Sequence, residues 1–253
     1  MKAMILAAGL GTRLRPLTDD RPKALVEING RTLLEVALLR LRSFGVHDVI
    51  VNVHHFADMI VAYLAANHDF GMRVEVSRES LLLDTGGGLK KAAHFFLGSS
   101  VEDPSRPQEP FIVHNVDVLS AIDLGRMVQL HNENQALATL AVQDRKTSRY
   151  LLFDERLRLC GRRAGGDREP ELVRSAKRLQ ALAFSGVQVI SPRFLAMMTE
   201  NGPFSIISSY LRLAAQGEEI LAFRADEYYW RDLGSPENVA RAAQDLKEKV
   251  IVQ

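Results

Sequence analysis

The amino-acid sequence predicts an α/β fold, a mixed, mostly parallel sheet flanked by helices on both faces. Two observations carry the prediction. Short unbroken aliphatic runs recur, as in Lys2 to Ala7 (KAMILA), Val49 to Val53 (VIVNV) and Phe111 to His114 (FIVH), and strands buried on both faces read this way. Amphipathic segments of helical length separate them, and a strand–helix–strand order requires crossover connections and parallel pairing.

Lys2 to Ala7 is the first strand, and it opens into a loop holding Gly9 and Gly11. Leu33 to Phe44 reads as an amphipathic helix stopped by Gly45. Val49 to Val53 is the second strand and Ala57 to Ala66 the second helix. Met72 to Val76 gives a third strand. Asp84 to Gly88 gives a glycine turn, from which a helix runs from Leu89 to Leu97. Ser99 to Glu109, polar and containing Pro104 and Pro107, is expected to be a surface loop. Phe111 to His114 is the fourth strand.

The second half changes character. Ala136 to Val142, Tyr150 to Phe153, Leu157 to Cys160, Ala181 to Ile190 and Glu219 to Phe223 read as strands with fewer helices between them. Gly161 to Arg178 is charged, glycine-rich and aperiodic, and is expected to be a mobile flap or insertion whose charges are solvated. Phe204 to Gln216 and Pro236 to Lys249 are helices, the second capped by Ser235 with Pro236 at its first position.

The 253 residues are 47% apolar, enough for one substantial core. A net charge of +1 gives no overall field that would favour nucleic acid or an anionic membrane. The single cysteine, Cys160, leaves no internal disulfide and fits a reducing, cytoplasmic setting. The first residues form a strand rather than a secretory leader. No apolar stretch approaches the roughly 20 residues of a membrane span.

The chemistry concentrates at the N-terminus, in LAAGLGTRLRPLT from Leu6 to Thr18 and RPKALVEING from Arg21 to Gly30. Glycines at a strand end allow a sharp turn and bring backbone N–H groups close to a ligand. Arg13, Arg15 and Lys23 add fixed positive charge, and the combination suits a polyphosphate. The spacing is neither a P-loop, since no Gly-Lys-Ser/Thr follows, nor a dinucleotide fingerprint, since the third glycine would fall at Leu14. Asp117 directly follows the fourth strand, at the carboxyl edge where α/β sheets place ligands. Asp232 follows Tyr229-Trp230 and precedes Gly234.

These motifs, with Asp84 to Gly88, Asn115 to Asp117, Phe184 to Gly186 and Trp230 to Gly234, resemble those of the sugar-phosphate nucleotidylyltransferases over nearly the whole chain. The resemblance implies a Rossmann-like domain with a small C-terminal acceptor-binding lobe. It makes residues 1–253 one domain, with a nucleotide-binding half at 1–135 and a sugar-binding half at 136–253. It implies transfer of a nucleotidyl group from a nucleoside triphosphate to a sugar 1-phosphate, by a monomer or homodimer. No hexapeptide repeat of the kind some members append is present.

The resemblance also distributes the roles. Arg13, Lys23 and Asp117 would be catalytic, with Arg13 on the departing pyrophosphate and Lys23 between the α-phosphate and the incoming sugar phosphate. Asp117 and Asp232 would hold Mg²⁺, or Mn²⁺, since repelling phosphates call for a hard cation with oxygen ligands. Leu6, Ala7, Ala8, Gly9, Gly11, Thr12, Arg13, Glu79, Thr85, Gly86 and Gly87 would bind the nucleotide, and Asn115, Tyr150, Gly161, Ser185 and Gly186 the sugar. Two departures stand out. Val116 replaces the family's glycine, and the usual Glu-Lys-Pro segment is missing near Gly161. The short chain is most similar to N-acetylmuramate-1-phosphate uridylyltransferases and short mannose- or heptose-1-phosphate guanylyltransferases. A phosphocholine cytidylyltransferase, using Trp230 with Tyr228 and Tyr229, and a catalytically silent regulatory subunit are the alternatives. His54 and His55 read as packing or hydrogen-bonding residues near the nucleotide pocket, His114 either as a core histidine or as a residue touching the site, and Cys160 as a buried small hydrophobe.

Overall fold

The computed structural model describes residues 1–97, 109–164 and 169–247. At its centre β1 (Lys2–Leu6) lies parallel to β4 (Asp48–Val53) on one side and β6 (Phe111–Asn115) on the other. The edge strand β5 (Arg73–Arg78) continues the parallel run beyond β4. Alternate residues of these strands enter different cores. Ala3, Ile5, Val49, Val51 and Ile112 face one, while Met4, Ile50, Phe111 and Val113 face the other. Both faces are therefore buried, which is why the strands lack polar alternation.

Helix α1 (Leu33–Ser43) starts at Thr32, whose hydroxyl accepts from the Glu35 N–H at 3.1 Å, and buries Leu33, Leu34, Ala37, Leu38 and Leu41. It shares the first core with α2 (Ala57–Ala66), α5 (Leu124–Glu133) and α8 (Pro236–Lys247). The opposite core is covered by α3 (Asp84–Lys91), α4 (Ala93–Leu97), the short α6 (Arg193–Ala196) and α7 (Ile206–Ala215). A small hairpin of β2 (Glu27–Ile28) and β3 (Arg31–Thr32) leads into α1.

The C-terminal half extends the same sheet in mixed fashion. The long β12 (Gln180–Ile190) runs antiparallel to β6, to β8 (Ala138–Gln143) and to β9 (Arg149–Phe153). Its register on β8 shifts between Phe184 and Gln188, around Gly186, whose φ is +75°. β13 (Ile220–Arg224) lies parallel to β8. A separate two-stranded sheet joins β7 (Val118–Ser120) to β14 (Trp230–Asp232).

Two expectations need correction. Gly161 to Arg178 is not wholly a flap: β10 (Leu159–Ala164) pairs with β9, and β11 (Glu171–Leu172) pairs with β10. The glycines of Asp84 to Gly88 form no turn ahead of a helix. They lie inside α3, which ends at Lys91, so that Leu89 to Leu97 falls in two short helices. The loop expected at Ser99 to Glu109 lies, except for Glu109, outside the described residues. No described helix is long and apolar enough to cross a membrane.

Candidate active site

The glycine loop leaves β1 against a buried polar bracket. The Ala7 N–H donates to Asn52 Oδ1 at 2.8 Å, and Asn52 Nδ2 donates to Glu79 Oε1 at 2.7 Å. The other Glu79 oxygen accepts from the Leu83 N–H at 3.0 Å, and its carbonyl oxygen is bound to His54 Nδ1 at 2.8 Å. Asn52 and Glu79 are buried, and their mutual bonds satisfy groups that would otherwise be costly to desolvate. Glu79 thus braces the loop from behind. Farther along, Gly11 is left-handed at φ +68° and starts the 3-10 turn Thr12–Leu14. A side chain there would be strained and would press on Thr18 at 3.0 Å.

Four segments then bring charge to one corner. Lys23, on the 3-10 turn Lys23–Leu25, donates from Nζ to Asp117 Oδ2 across 94 residues of sequence, both side chains being largely buried. Asp117 lies between β6 and β7, and its carbonyl oxygen accepts from the Leu233 N–H at 2.8 Å. In the β7–β14 pairing, Asp232 stands opposite Val118, the residue after Asp117. Asp232 Oδ1 accepts from the Gly234 N–H at 2.6 Å. Gly234 also seats Arg13, since a Cβ there would lie 2.8 Å from Arg13 Nη2 and 2.5 Å from Asp232 Oδ1. Arg13, Lys23, Asp117 and Asp232 therefore share one neighbourhood.

A cleft of about 400 Å³ opens beside this corner, lined by Leu6 to Gly9, Lys23, Asn52, Leu82, Asp84, Thr85, Asn115 to Asp117 and Pro203. Of the expected nucleotide residues, Leu6, Ala7, Ala8, Gly9 and Thr85 reach it. Gly11, Thr12 and Arg13 stand off its lining, in the next turn of the loop. Gly86 and Gly87 turn toward protein: both N–H groups donate to the Phe204 carbonyl, at 2.9 and 3.3 Å. A Cβ on Gly86 would lie 2.3 Å from a Phe204 ring carbon, and one on Gly88 2.7 Å from Asn52 Nδ2. Gly86 thus lets α3 press against the segment entering α7 and Gly88 lets it press on the Asn52–Glu79 pair, the first contact being clasped further by the Ile206 N–H donating to Thr85 Oγ1 at 3.0 Å. Asn52, Leu82 and Pro203 were missed by sequence reasoning. The lone polar residue of VIVNV was the available signal for Asn52; for Pro203 there was none.

On the expected sugar side, Asn115 lines the cleft and Gly186 adjoins it, where a Cβ would lie 3.0 Å from Asn115 Nδ2. Ser185 is buried, its carbonyl oxygen accepting from Trp230 Nε1 at 2.8 Å. The Tyr150 hydroxyl accepts from the Thr147 N–H at 3.2 Å. Gly161 lies on β10, off the cleft lining, where a Cβ would meet the Glu171 carbonyl at 2.2 Å, so the β10–β11 pairing requires its glycine. Val116 is buried and its N–H donates to the Leu6 carbonyl at 3.1 Å. Burial, with the Arg40 charge second, pushes His114 on β6 down to about 4 and favours its neutral form.

Residues 2–152 match the family model described as nucleotidyl transferase. The chain belongs to the sugar-phosphate nucleotidylyltransferase family. It is 35% identical over 255 residues to an N-acetylmuramate α-1-phosphate uridylyltransferase of Caulobacter vibrioides, covering 97% of each chain. It is 28% identical over 248 residues to a mannose-1-phosphate guanylyltransferase of Mycobacterium tuberculosis, covering 96% of this chain and 64% of that one. The crystal structure of a UDP-glucose pyrophosphorylase complexed with UDP-glucose superposes with a TM-score of 0.75 at 19% identity, covering 98% of each chain. That likeness supports the Rossmann-like mixed sheet flanked by helices. The family makes this chain an enzyme of nucleotide-sugar biosynthesis.

Proposed function

We propose that the enzyme transfers a uridylyl group from UTP to a sugar 1-phosphate, releasing pyrophosphate, with a divalent cation required. The observation that carries the reading is the meeting of Lys23, Asp117, Asp232 and Arg13 at the mouth of the glycine loop. The near-full-length relative named for uridylyl transfer favours uracil over guanine.

The donor set fits a hard cation. Asp117 Oδ2 and Asp232 Oδ1 are held inside the protein, and among the described residues Asp117 Oδ1 and Asp232 Oδ2 take no hydrogen bond. Two carboxylate oxygens are a sufficient protein contribution for Mg²⁺, which keeps waters and substrate phosphates as its other ligands. When bound, the cation supplies charge neutralisation between the two phosphate groups. Lys23 offsets the charge of the attacking phosphate and the α-phosphate, and its pairing with Asp117 fixes its ammonium in place. Arg13 offers its guanidinium fork to the departing pyrophosphate. The N–H groups of the Ala8 to Gly11 loop hold the triphosphate, since the Ala7 N–H is already taken by Asn52. The sugar phosphate oxygen attacks the α-phosphorus in line, and positioning with electrostatics suffices.

The phosphocholine alternative loses support at Trp230. An Arg145 guanidinium already covers its ring, 3.7 Å from the centroid, where an aromatic box would receive a quaternary ammonium. The silent-subunit alternative has no missing charge to explain it. The test is pyrophosphate release from a matrix of UTP, GTP, CTP and dTTP against sugar 1-phosphates and phosphocholine, with and without EDTA. Turnover with UTP and a sugar 1-phosphate, lost in EDTA and restored by Mg²⁺, is expected. Turnover only with phosphocholine, or undiminished activity in EDTA, would overturn the reading.

A further inference from the structure

The segment from Glu200 to Phe204 joins α6 to α7 in the C-terminal half, yet it is fastened to α3 in the N-terminal half. Lys90 Nζ donates to the Glu200 carbonyl at 2.5 Å and to Asn201 Oδ1 at 3.0 Å. The Phe204 N–H donates to the Leu83 carbonyl at 3.1 Å, and the Phe204 carbonyl accepts from Gly86 and Gly87. A Cβ on Gly87 would lie 2.6 Å from the Gly202 carbonyl oxygen, so the two backbones touch. On its other side Arg212 holds the Glu200 carboxylate and the Met197 carbonyl, each at 2.9 Å. A segment bonded on both sides keeps one position. What it presents to the cleft is Pro203, whose ring is exposed there.

Strand order shows which part of a substrate meets that ring. The cleft crosses the carboxyl edge of the parallel strands. It runs from Asp117 past β6, over the glycine loop past β1 and Asn52 on β4, to Leu82 and Asp84 beyond β5. Lys23 is paired with Asp117 at the first end, so phosphates belong there. The far end carries the exposed Asp84 carboxylate, which repels phosphate, and two apolar side chains, Leu82 and Pro203. A triphosphate anchored at the first end therefore sends its nucleoside toward the second. A nucleobase is polar at its edges and apolar on its faces, and a face gains by lying against an apolar wall.

We propose that Pro203 packs on a face of the nucleobase, so that the C-terminal half supplies one wall of the nucleotide site and the seating of residues 202–204 on α3 holds that wall in place. This rests on the nucleotidyl-transfer reading above and adds a nucleotide contact outside residues 1–135. The ring covers a face without reading an edge, so it contributes affinity for the nucleotide rather than a choice of base.

The experiment measures the Kd for UTP with Mg²⁺ by calorimetric titration in wild type, Pro203→Ser and Pro203→Val. Beside it stand kcat and the two KM values, with UTP and the sugar 1-phosphate that turns over in the matrix above. Pro203→Ser should weaken UTP binding by about five- to tenfold, the apolar area of one ring, and raise the KM for UTP in step. The KM for the sugar 1-phosphate and kcat at saturating UTP should move by no more than about twofold. Pro203→Val, which restores apolar bulk without the ring's fixed φ, should recover most of the affinity. Unchanged UTP affinity in Pro203→Ser would overturn the proposal, as would a rise in the acceptor's KM in place of that for UTP. Equal losses in the Ser and Val variants would overturn it too, since they would assign the effect to the backbone of the segment. Each of these outcomes leaves the reaction intact, whereas a wild type that neither binds UTP nor turns over any sugar 1-phosphate sinks the reading beneath it as well.

Discussion

Acidification should destabilise this protein through His131, a residue far from the chemistry. His131 lies on α5, 2% exposed, between Thr139 Oγ1 and Ser191 Oγ, each 3.0 Å from a ring nitrogen. The Ser191 hydroxyl gives its hydrogen to the Ala136 carbonyl at 2.7 Å. Its oxygen must therefore accept from Nε2–H, which leaves Nδ1 to accept from Thr139, so the neutral ring satisfies both contacts. Burial, with the Arg193 charge second, pushes the imidazole down to about 4. Between that value and the unfolded value near 6.5, the unfolded chain binds the extra proton. Stability is then fully present above pH of about 6.5 and is lost as pH falls toward about 4. At pH of about 5 the two values give a loss of about 2 kcal/mol relative to pH of about 7.5. The assay is urea unfolding of wild type and His131→Gln at both pH values. His114 titrates in the same direction in both proteins, so the difference between them isolates His131. Wild type should lose about 2 kcal/mol more than the variant, and equal losses would refute the assignment.

Other outcomes follow from the site. Asp117→Asn and Asp232→Asn should each lower kcat by about 100-fold or more without lowering the melting temperature appreciably, read by pyrophosphate release beside calorimetry. Lys23→Ala should cut kcat/KM by about 100-fold or more, because it removes charge from the reacting phosphates and leaves Asp117 unpaired; wild-type kinetics would show the lysine to be structural. Gly86→Ala should cost about 1–3 kcal/mol in urea unfolding and weaken nucleotide binding in calorimetric titration, since its methyl would meet the Phe204 ring at 2.3 Å. Val116→Gly should broaden the range of sugar 1-phosphates turned over in a panel while chemistry persists, because Asp117 keeps its backbone bond to Leu233.

The parallel half of the fold was legible from the sequence alone. Strands buried on two faces must be apolar throughout, so KAMILA, VIVNV and FIVH announced themselves, and a helix with one buried stripe must show a 3.6-residue period, as Leu33 to Ser43 does. The concentration of charge was legible too, because glycines, two arginines and a lysine sit within one short loop, and the fold brings two of these, Arg13 and Lys23, beside Asp232 and Asp117. The triple glycine misled, since glycine's turn preference is local, while its lack of a side chain here admits Phe204 from 118 residues beyond Gly86. Gly161 to Arg178 misled in the same way, because β10 and β11 gain their order from pairing with β9 rather than from their own composition.

What the sequence determined by itself is whatever depends on near neighbours: period, caps, the glycine loop and the density of charge within it. Only the tertiary structure decided which distant groups meet. It set Lys23 on Asp117, Asn52 under Ala7, Phe204 over Gly86 and Arg145 on Trp230. Each of these contacts follows from strand register and helix docking between segments dozens of residues apart, and no local propensity encodes such a pairing.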